Sequence, residues 1–239
     1  YAGQHWSVTL TPYGREIEPH VPPKEQVIEN IRALSAAVGP ASVAWRYDPI
    51  LLNGTYTEER HLAEFSRMAA ALDGCVEVCV ISFLDLYQKV QRNFPEARAV
   101  PAAARIRLGR AMARIAKSHH MRLKACAEGD ELAPYGVDCS GCMTMEVYEH
   151  ALHARLSPPP GAVHPGRKEC ACYLGGDIGA YDSCGHLCRY CYANASPEAV
   201  RRNRRLHDPA SPFLNGRPLP GDEVRDARQE SWLDGQLHF

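Results

Sequence analysis

The run Cys184-Gly-His-Leu-Cys188-Arg-Tyr190-Cys191 sets three thiols in a C-x3-C-x2-C spacing, with an aromatic residue just before the last sulfur. Soft thiolates suit iron-sulfur chemistry, and spacings this short let one loop wrap a single face of a 4Fe-4S cube, each sulfur taking one iron. The fourth iron then keeps an open position, which is what separates a catalytic centre from a closed structural one. The same sulfurs completed by His186 or a distant Cys would instead make a closed zinc knuckle, although zinc sites favour C-x2-C pairs.

The remaining cysteines suggest a second site. Seven of the ten fall between 139 and 191 and none lies in the first 74 residues, a clustering that needs a local cause. Cys170 and Cys172, two apart on a strand, point to one side and can join Cys126 and Cys142 as four ligands. An auxiliary 4Fe-4S cluster is the preferred occupant and zinc the alternative. A metal-free thiol cluster also stays open, because C-x-C is a weak motif. Cys75 and Cys79, at or inside an apolar strand, read as small core hydrophobes.

The elements that must position these groups follow from periodicity. His5 to Leu10 reads as a strand ending in the turn Thr11 to Gly14. Pro23 to Val38 follows as a helix with Val27, Ile28, Ile31, Leu34 and Val38 at helical spacing. A second strand, Ser42 to Trp45, leads into Arg46-Tyr-Asp48-Pro49, and Thr57 to Leu72 reads as a helix capped by Thr57. Val76 to Phe83 has the β-branched, continuous apolar character of a buried parallel strand. Helical patterns follow, weakly over Leu84 to Val90 and strongly over Ala102 to His119, before a fourth strand at Met121 to Ala127.

Strands alternating with helices imply an α/β fold with a parallel sheet, and units of this length suit a (β/α) barrel, partial or complete. In such folds chemistry sits at the C-terminal strand ends, where Thr9, Thr11, Arg46, Asp48, Ser82, Asp85 and Glu128 are expected to converge on one mouth. Arg46 and Asp48 can equally pair with each other to cap a loop. Ser157-Pro-Pro-Pro-Gly161 punctuates the chain, dividing a βα-repeat part, 1–156, from a Cys-rich segment, 157–239, that completes the mouth within one domain. In that segment Cys172 to Tyr181 reads as a further strand. Pro197 to His207 reads as a helix bearing Arg201, Arg202, Arg204 and Arg205, and the polar tail carries a small apolar anchor of Trp232, Leu233, Leu237 and Phe239.

At 239 residues, 45% hydrophobic and 23% charged, the chain has ample material for a core. The formal charge of -1 gives no broad basic footprint, so nucleic acid is a weak substrate class and an anionic membrane surface a poor partner. No run of about 18 apolar residues is present, and Tyr1 to Trp6 lacks the basic and apolar regions of a secretory signal. A reducing cytoplasm is therefore expected, which favours metal ligation over disulfides. The chain opens at Tyr1 without an initiator Met and enters a strand almost at once, which suggests N-terminal truncation.

Several segments carry a specific resemblance: Thr9-Leu-Thr-Pro-Tyr-Gly14, Trp45-Arg-Tyr-Asp-Pro-Ile-Leu-Leu52, Ile81-Ser-Phe-Leu-Asp-Leu-Tyr87, Cys126-Ala-Glu128, and Asp177-Ile-Gly-Ala-Tyr181 followed by Cys184 to Asn194. Together they resemble the family called domain of unknown function 1848, over nearly the whole chain. Members have Cys at positions 126, 142, 170 and 172, with Cys139 additional. Through the C-x3-C-x2-C motif they are similar to radical S-adenosylmethionine enzymes. The resemblance implies Cys184, Cys188 and Cys191 as cluster ligands, Tyr190 near the adenine, and S-adenosylmethionine as cosubstrate.

Thr9, Thr11 and Ser82 are candidate cofactor contacts, and Arg46, Asp48, Asp85 and Glu128 candidate catalytic residues toward an unidentified small molecule. The expected chemistry is reductive cleavage of the sulfonium bond to a 5'-deoxyadenosyl radical that abstracts hydrogen. The Arg-rich helix is either a solvated face or a docking site for an acidic electron donor such as a ferredoxin or flavodoxin. In the enzymes it resembles, the three-Cys loop follows the first barrel strand. Here it lies near the C-terminus, so a circular permutation is expected, with Cys172 to Tyr181 as that strand. Gly175-Gly176-Asp177 precedes the loop and does not take the role of the usual Gly-Gly-Glu stretch. Two other classes remain: a structural protein holding zinc or an inert cluster, and a non-radical enzyme using Asp48, Asp85 and Glu128 as acid, base or metal ligands.

Overall fold

The computed structural model describes residues 3–161, 170, 172, 179–225 and 231–234. Four strands, β1 (Trp6–Thr9), β2 (Val43–Ile50), β3 (Val78–Phe83) and β4 (Arg122–Ala125), form one sheet in sequence order. Every pairing is parallel, with Trp45 opposite Val8 and Cys79, and Leu123 opposite Cys79. The parallel α/β expectation holds. A closed barrel does not form among the described residues: the sheet is open, with β1 at one edge and β4 at the other. Four strands with their inter-strand twist cover only part of the circumference that eight would close. Beside β4, Asp138 makes an isolated parallel bridge to Lys124 and exchanges backbone bonds with Leu123 and Ala125.

The crossovers are α1 (Lys24–Val38), α2 (Glu58–Ala71), and a pair between β3 and β4, α3 (Gln88–Asn93) and α4 (Ala102–Ser118). Thr57 caps α2 by accepting the Arg60 N–H, and Glu58 and Glu59 favour the positive end of its dipole. The weak helix pattern at 84–90 is displaced: the Leu84 N–H instead bonds to Ile50 O, which keeps the chain extended, and α3 starts only after Tyr87. Two later helices are α5 (Met145–Leu152), which the sequence patterning left unassigned, and α6 (Pro197–Arg205), where Ser196 accepts the Ala199 N–H ahead of a first-turn proline.

Alternation along the strands separates two environments. On one face Val43, Trp45, Tyr47, Cys79, Ile81 and Leu123 pack against helices α1, α2 and α4 as the main core. Trp45 stacks on Phe65 with centroids 4.8 Å apart and donates its indole N–H to Leu10 O at 2.9 Å. Cys79 is fully buried there, as the strand pattern implied. The other face carries Ala44, Val78 and Val80 under Cys126, Cys142, Met143, Cys170 and Cys172. The sheet therefore turns an apolar side to the helices and a sulfur-rich side to the site.

The expected strand at 172–181 falls largely outside the described residues, as do Gly175 to Asp177 and the anchor residues Leu237 and Phe239. Of the tail, Leu233 bridges Leu156, and Ser157 donates its N–H to Trp232 O. No helix among the described residues is long and apolar enough to cross a membrane.

Candidate functional site

Six of the seven strand-end residues, Thr9, Thr11, Arg46, Asp48, Ser82 and Asp85, line a single cavity of about 850 Å³. Cys126, Cys142, Cys170 and Cys172 line it from the sheet's sulfur-rich face, and Cys188, Tyr190 and Cys191 line it from the three-Cys loop. Both cysteine sets thus reach one space, the loop through Cys188 and Cys191 while Cys184 stays outside its lining. Glu128 is the exception. Its carboxylate turns back to accept the Phe83 N–H at 2.7 Å, with Arg105 at 3.6 Å, so it caps the end of β3 rather than facing the cavity. Burial pushes its pKa up to about 7, against the pull of that N–H and of Arg105.

Arg46 and Asp48 share the inner face because they lie two apart on β2. Asp48 Oδ2 accepts from Arg46 Nη2 at 2.5 Å and from Nε at 3.0 Å, and its other oxygen accepts the Ser82 hydroxyl. The pairing anticipated from sequence is present, and it leaves Arg46 Nη1 aimed at Cys142 Sγ, 3.6 Å away. Cys142 Sγ lies 3.5 Å from Cys126 Sγ and 3.6 Å from Cys172 Sγ, and the Met143 N–H donates to Cys172 Sγ at 3.3 Å. All ten cysteines are free. Among the described residues no three His, Cys, Asp or Glu side chains yet surround one point as a single ion requires.

The three-Cys loop is docked by a residue that sequence reasoning missed. Glu18, only 2% exposed, accepts from Thr11 Oγ1 at 2.5 Å, from the Tyr190 hydroxyl and from Lys24 Nζ. Two backbone bonds reinforce the contact, Arg189 N–H to Ile17 O at 2.9 Å and His20 N–H to His186 O at 3.2 Å. The β1–α1 segment is itself pinned: Tyr13 donates to Pro49 O and accepts the Leu51 N–H, while Tyr56 donates to Glu16 and accepts the Gly14 N–H. Tyr13 meets the edge of Tyr190 at 5.8 Å. On the far side, Arg189 lies over Phe94 and pairs with Glu96. A carboxylate in a loop of no regular periodicity gives no signal before the fold is known.

Within the loop, the Cys191 N–H bonds to Cys188 O, and Asn194 Nδ2 donates to Cys184 O. Cys184 is exposed, whereas Cys188 and Cys191 are half-buried. Burial, then the Glu18 charge, then neighbouring Cys191 and Cys184 push the Cys188 thiol up to about 12.

The family described as Domain of unknown function (DUF1848) matches residues 2–193. This chain belongs to the DUF1848 family. The match takes in the whole sheet and both cysteine sets of the DUF1848 region, and it ends before α6. No curated protein and no solved structure matches the chain.

Proposed function

We propose that this DUF1848 protein is a radical S-adenosylmethionine-like iron-sulfur enzyme, acting on an unidentified small molecule at the mouth of the sheet. The observation that carries the reading is that Cys188, Cys191 and Tyr190 line the same cavity as the C-terminal strand ends. Three soft donors on one docked loop fit the three-iron face of a 4Fe-4S cluster, with Cys184, Cys188 and Cys191 as ligands. Bound and reduced, such a cluster supplies the electron that splits the sulfonium bond of S-adenosylmethionine and so provides a hydrogen-abstracting radical.

The chain's own residues bind and orient. Tyr190 offers a ring face for the adenine, Thr9 offers a hydroxyl along the wall, and Ser82, whose proton is committed to Asp48, offers lone pairs only. Thr11, whose proton is committed to Glu18, offers lone pairs only. Arg46, held by Asp48, presents a fixed cation for an anionic substrate group, and Asp85 stands at the same wall as a proton acceptor. The volume lies within the range of about 300–1,000 Å³ usual for small-molecule sites. The expected location is the cytoplasm, where the thiols stay reduced.

An acidic ferredoxin or flavodoxin is the proposed electron donor, docking on α6. Arg204 lies over the three-Cys loop so closely that a Cβ at Gly185 would clash with its Nη1. Arg201 is engaged by Glu198, while Arg202, Arg204 and Arg205 are exposed and pair with no carboxylate among the described residues. Replacing these three by Gln is expected to slow reduction by a protein donor roughly tenfold or more at low salt and leave dithionite reduction unchanged. Equal loss with both reductants, followed in stopped flow, contradicts the docking role.

The overall reading is tested by anaerobic reconstitution with iron and sulfide. The expected product is a brown protein that makes 5'-deoxyadenosine from S-adenosylmethionine under reduction. A colourless protein whose C-x3-C-x2-C loop holds zinc overturns it and leaves a structural metal protein.

A further inference from the structure

The structure carries a second, independent assignment on the sheet's inner face. We infer that Cys126, Cys142, Cys170 and Cys172 form a tetrathiolate site for one thiophilic divalent ion, such as zinc or ferrous iron, which fastens the Cys-rich segment to the sheet.

The four sulfurs come from three separate stretches: just past β4, the loop before α5, and the segment beyond Gly161. The four cysteine residues nonetheless pack in one cluster over Ala44, Val78 and Val80, with Cys142 Sγ in contact with the sulfurs of Cys126 and Cys172. The two Sγ separations, 3.5 and 3.6 Å, approach the edge of a tetrahedron of sulfurs about 2.3 Å from a central ion, which is about 3.8 Å. Thiolates on separate iron corners of a cubane stand well beyond sulfur-sulfur contact, so these distances favour a mononuclear ion over the auxiliary cluster that the spacing first suggested.

The surroundings match the charge of such a centre. Four thiolates on a divalent ion leave two net negative charges. The Arg46 guanidinium is set against Cys142, and a backbone N–H is set against Cys172. A purely apolar packing of small thiols calls for neither donor. Cys142 is the member shared by both short contacts, and closing the site takes side-chain rotation of the other thiols onto the ion. With four protein ligands and no open position, the centre is structural.

The test uses the full chain with Cys184, Cys188 and Cys191 replaced by Ala, so that it does not depend on the cluster proposed above. Cobalt(II) is the probe, titrated anaerobically and then displaced by zinc. About one cobalt per chain with the intense visible bands of a tetrahedral thiolate site is expected. Adding Cys142→Ala, which removes the sulfur common to both short contacts and puts no donor in its place, should abolish the bands, whereas Cys170→Ser, which puts a hydroxyl oxygen in place of one peripheral sulfur, should shift them and weaken binding at least tenfold. Cys139→Ala should leave the spectrum unchanged. Absence of cobalt binding by the folded protein overturns the assignment. So does retention of the bands in Cys142→Ala, or uptake of several irons with sulfide at these four residues.

Discussion

Replacing Cys188 with Ala is expected to reduce 5'-deoxyadenosine formation to background and to remove the iron-sulfur chromophore contributed by the C-x3-C-x2-C loop. Cys188 is the middle sulfur of that loop and lines the cavity beside Cys191, so its loss leaves two thiols on a face that needs three. The folded protein should survive, because the loop is held by Tyr190, Arg189 and Asn194 rather than by the thiol. Iron and sulfide analysis with anaerobic product assay checks the outcome. Cys75→Ala and Cys139→Ala serve as controls, since neither residue lines the cavity. Full product formation by Cys188→Ala contradicts the ligand assignment.

The second large effect concerns Glu18. In Glu18→Ala the hydroxyls of Thr11 and Tyr190 lose their acceptor in a buried setting, and Lys24 loses its partner. Lys24 stays within reach of water, at 17% exposure, so its charge is less penalised than a fully enclosed one. Loss of the acceptor for two enclosed donors is expected to cost about 3 kcal/mol, read as a fall in the urea midpoint with an unchanged slope. Tyr190→Phe removes only one of these bonds and should cost about 1 kcal/mol. A further consequence separates docking from general stability: Glu18→Ala should also speed cluster loss from the three-Cys loop well below the unfolding transition. Equal cluster lifetimes in Glu18→Ala and wild-type protein would mean that the loop is held without Glu18, by its backbone bonds and by Arg189 and Asn194.

Much of the architecture was legible because periodicity and capping are local. The runs at 5–10, 42–45, 76–83 and 121–127 each became a parallel strand, and Thr57 capped the helix it was expected to cap. Arg46 and Asp48 stood out as polar residues after the apolar run that stops at Trp45, but β2 continues to Ile50, so they lie within the strand and reach the cavity from its inner face rather than from its end. Closure was not legible, since the number of strands around a barrel is set by non-local pairing and not by the repeat length of its units. Glu128 failed as a cavity residue for a related reason. Ala127, just before it, takes a left-handed backbone, φ 57°, and the chain turns so that the carboxylate meets the Phe83 N–H.

The cysteine sets divide along the same line. The spacing 184–188–191 is a local signal that one loop can satisfy. The grouping of Cys126 and Cys142 with Cys170 and Cys172 was available from the family resemblance rather than from local spacing, because their meeting depends on which face of β3 and β4 the later segments cross. Glu18 belongs with these, because three of its partners, Thr11, Lys24 and Tyr190, span 180 residues of chain only by way of the fold.

The most direct measurement is electron paramagnetic resonance of the anaerobically reconstituted, reduced protein before and after adding S-adenosylmethionine. A reduced 4Fe-4S signal whose g-values shift on addition, and which disappears in Cys188→Ala, is the predicted result. A signal that S-adenosylmethionine leaves unchanged, or one that persists without Cys188, would contradict an open iron corner at this loop.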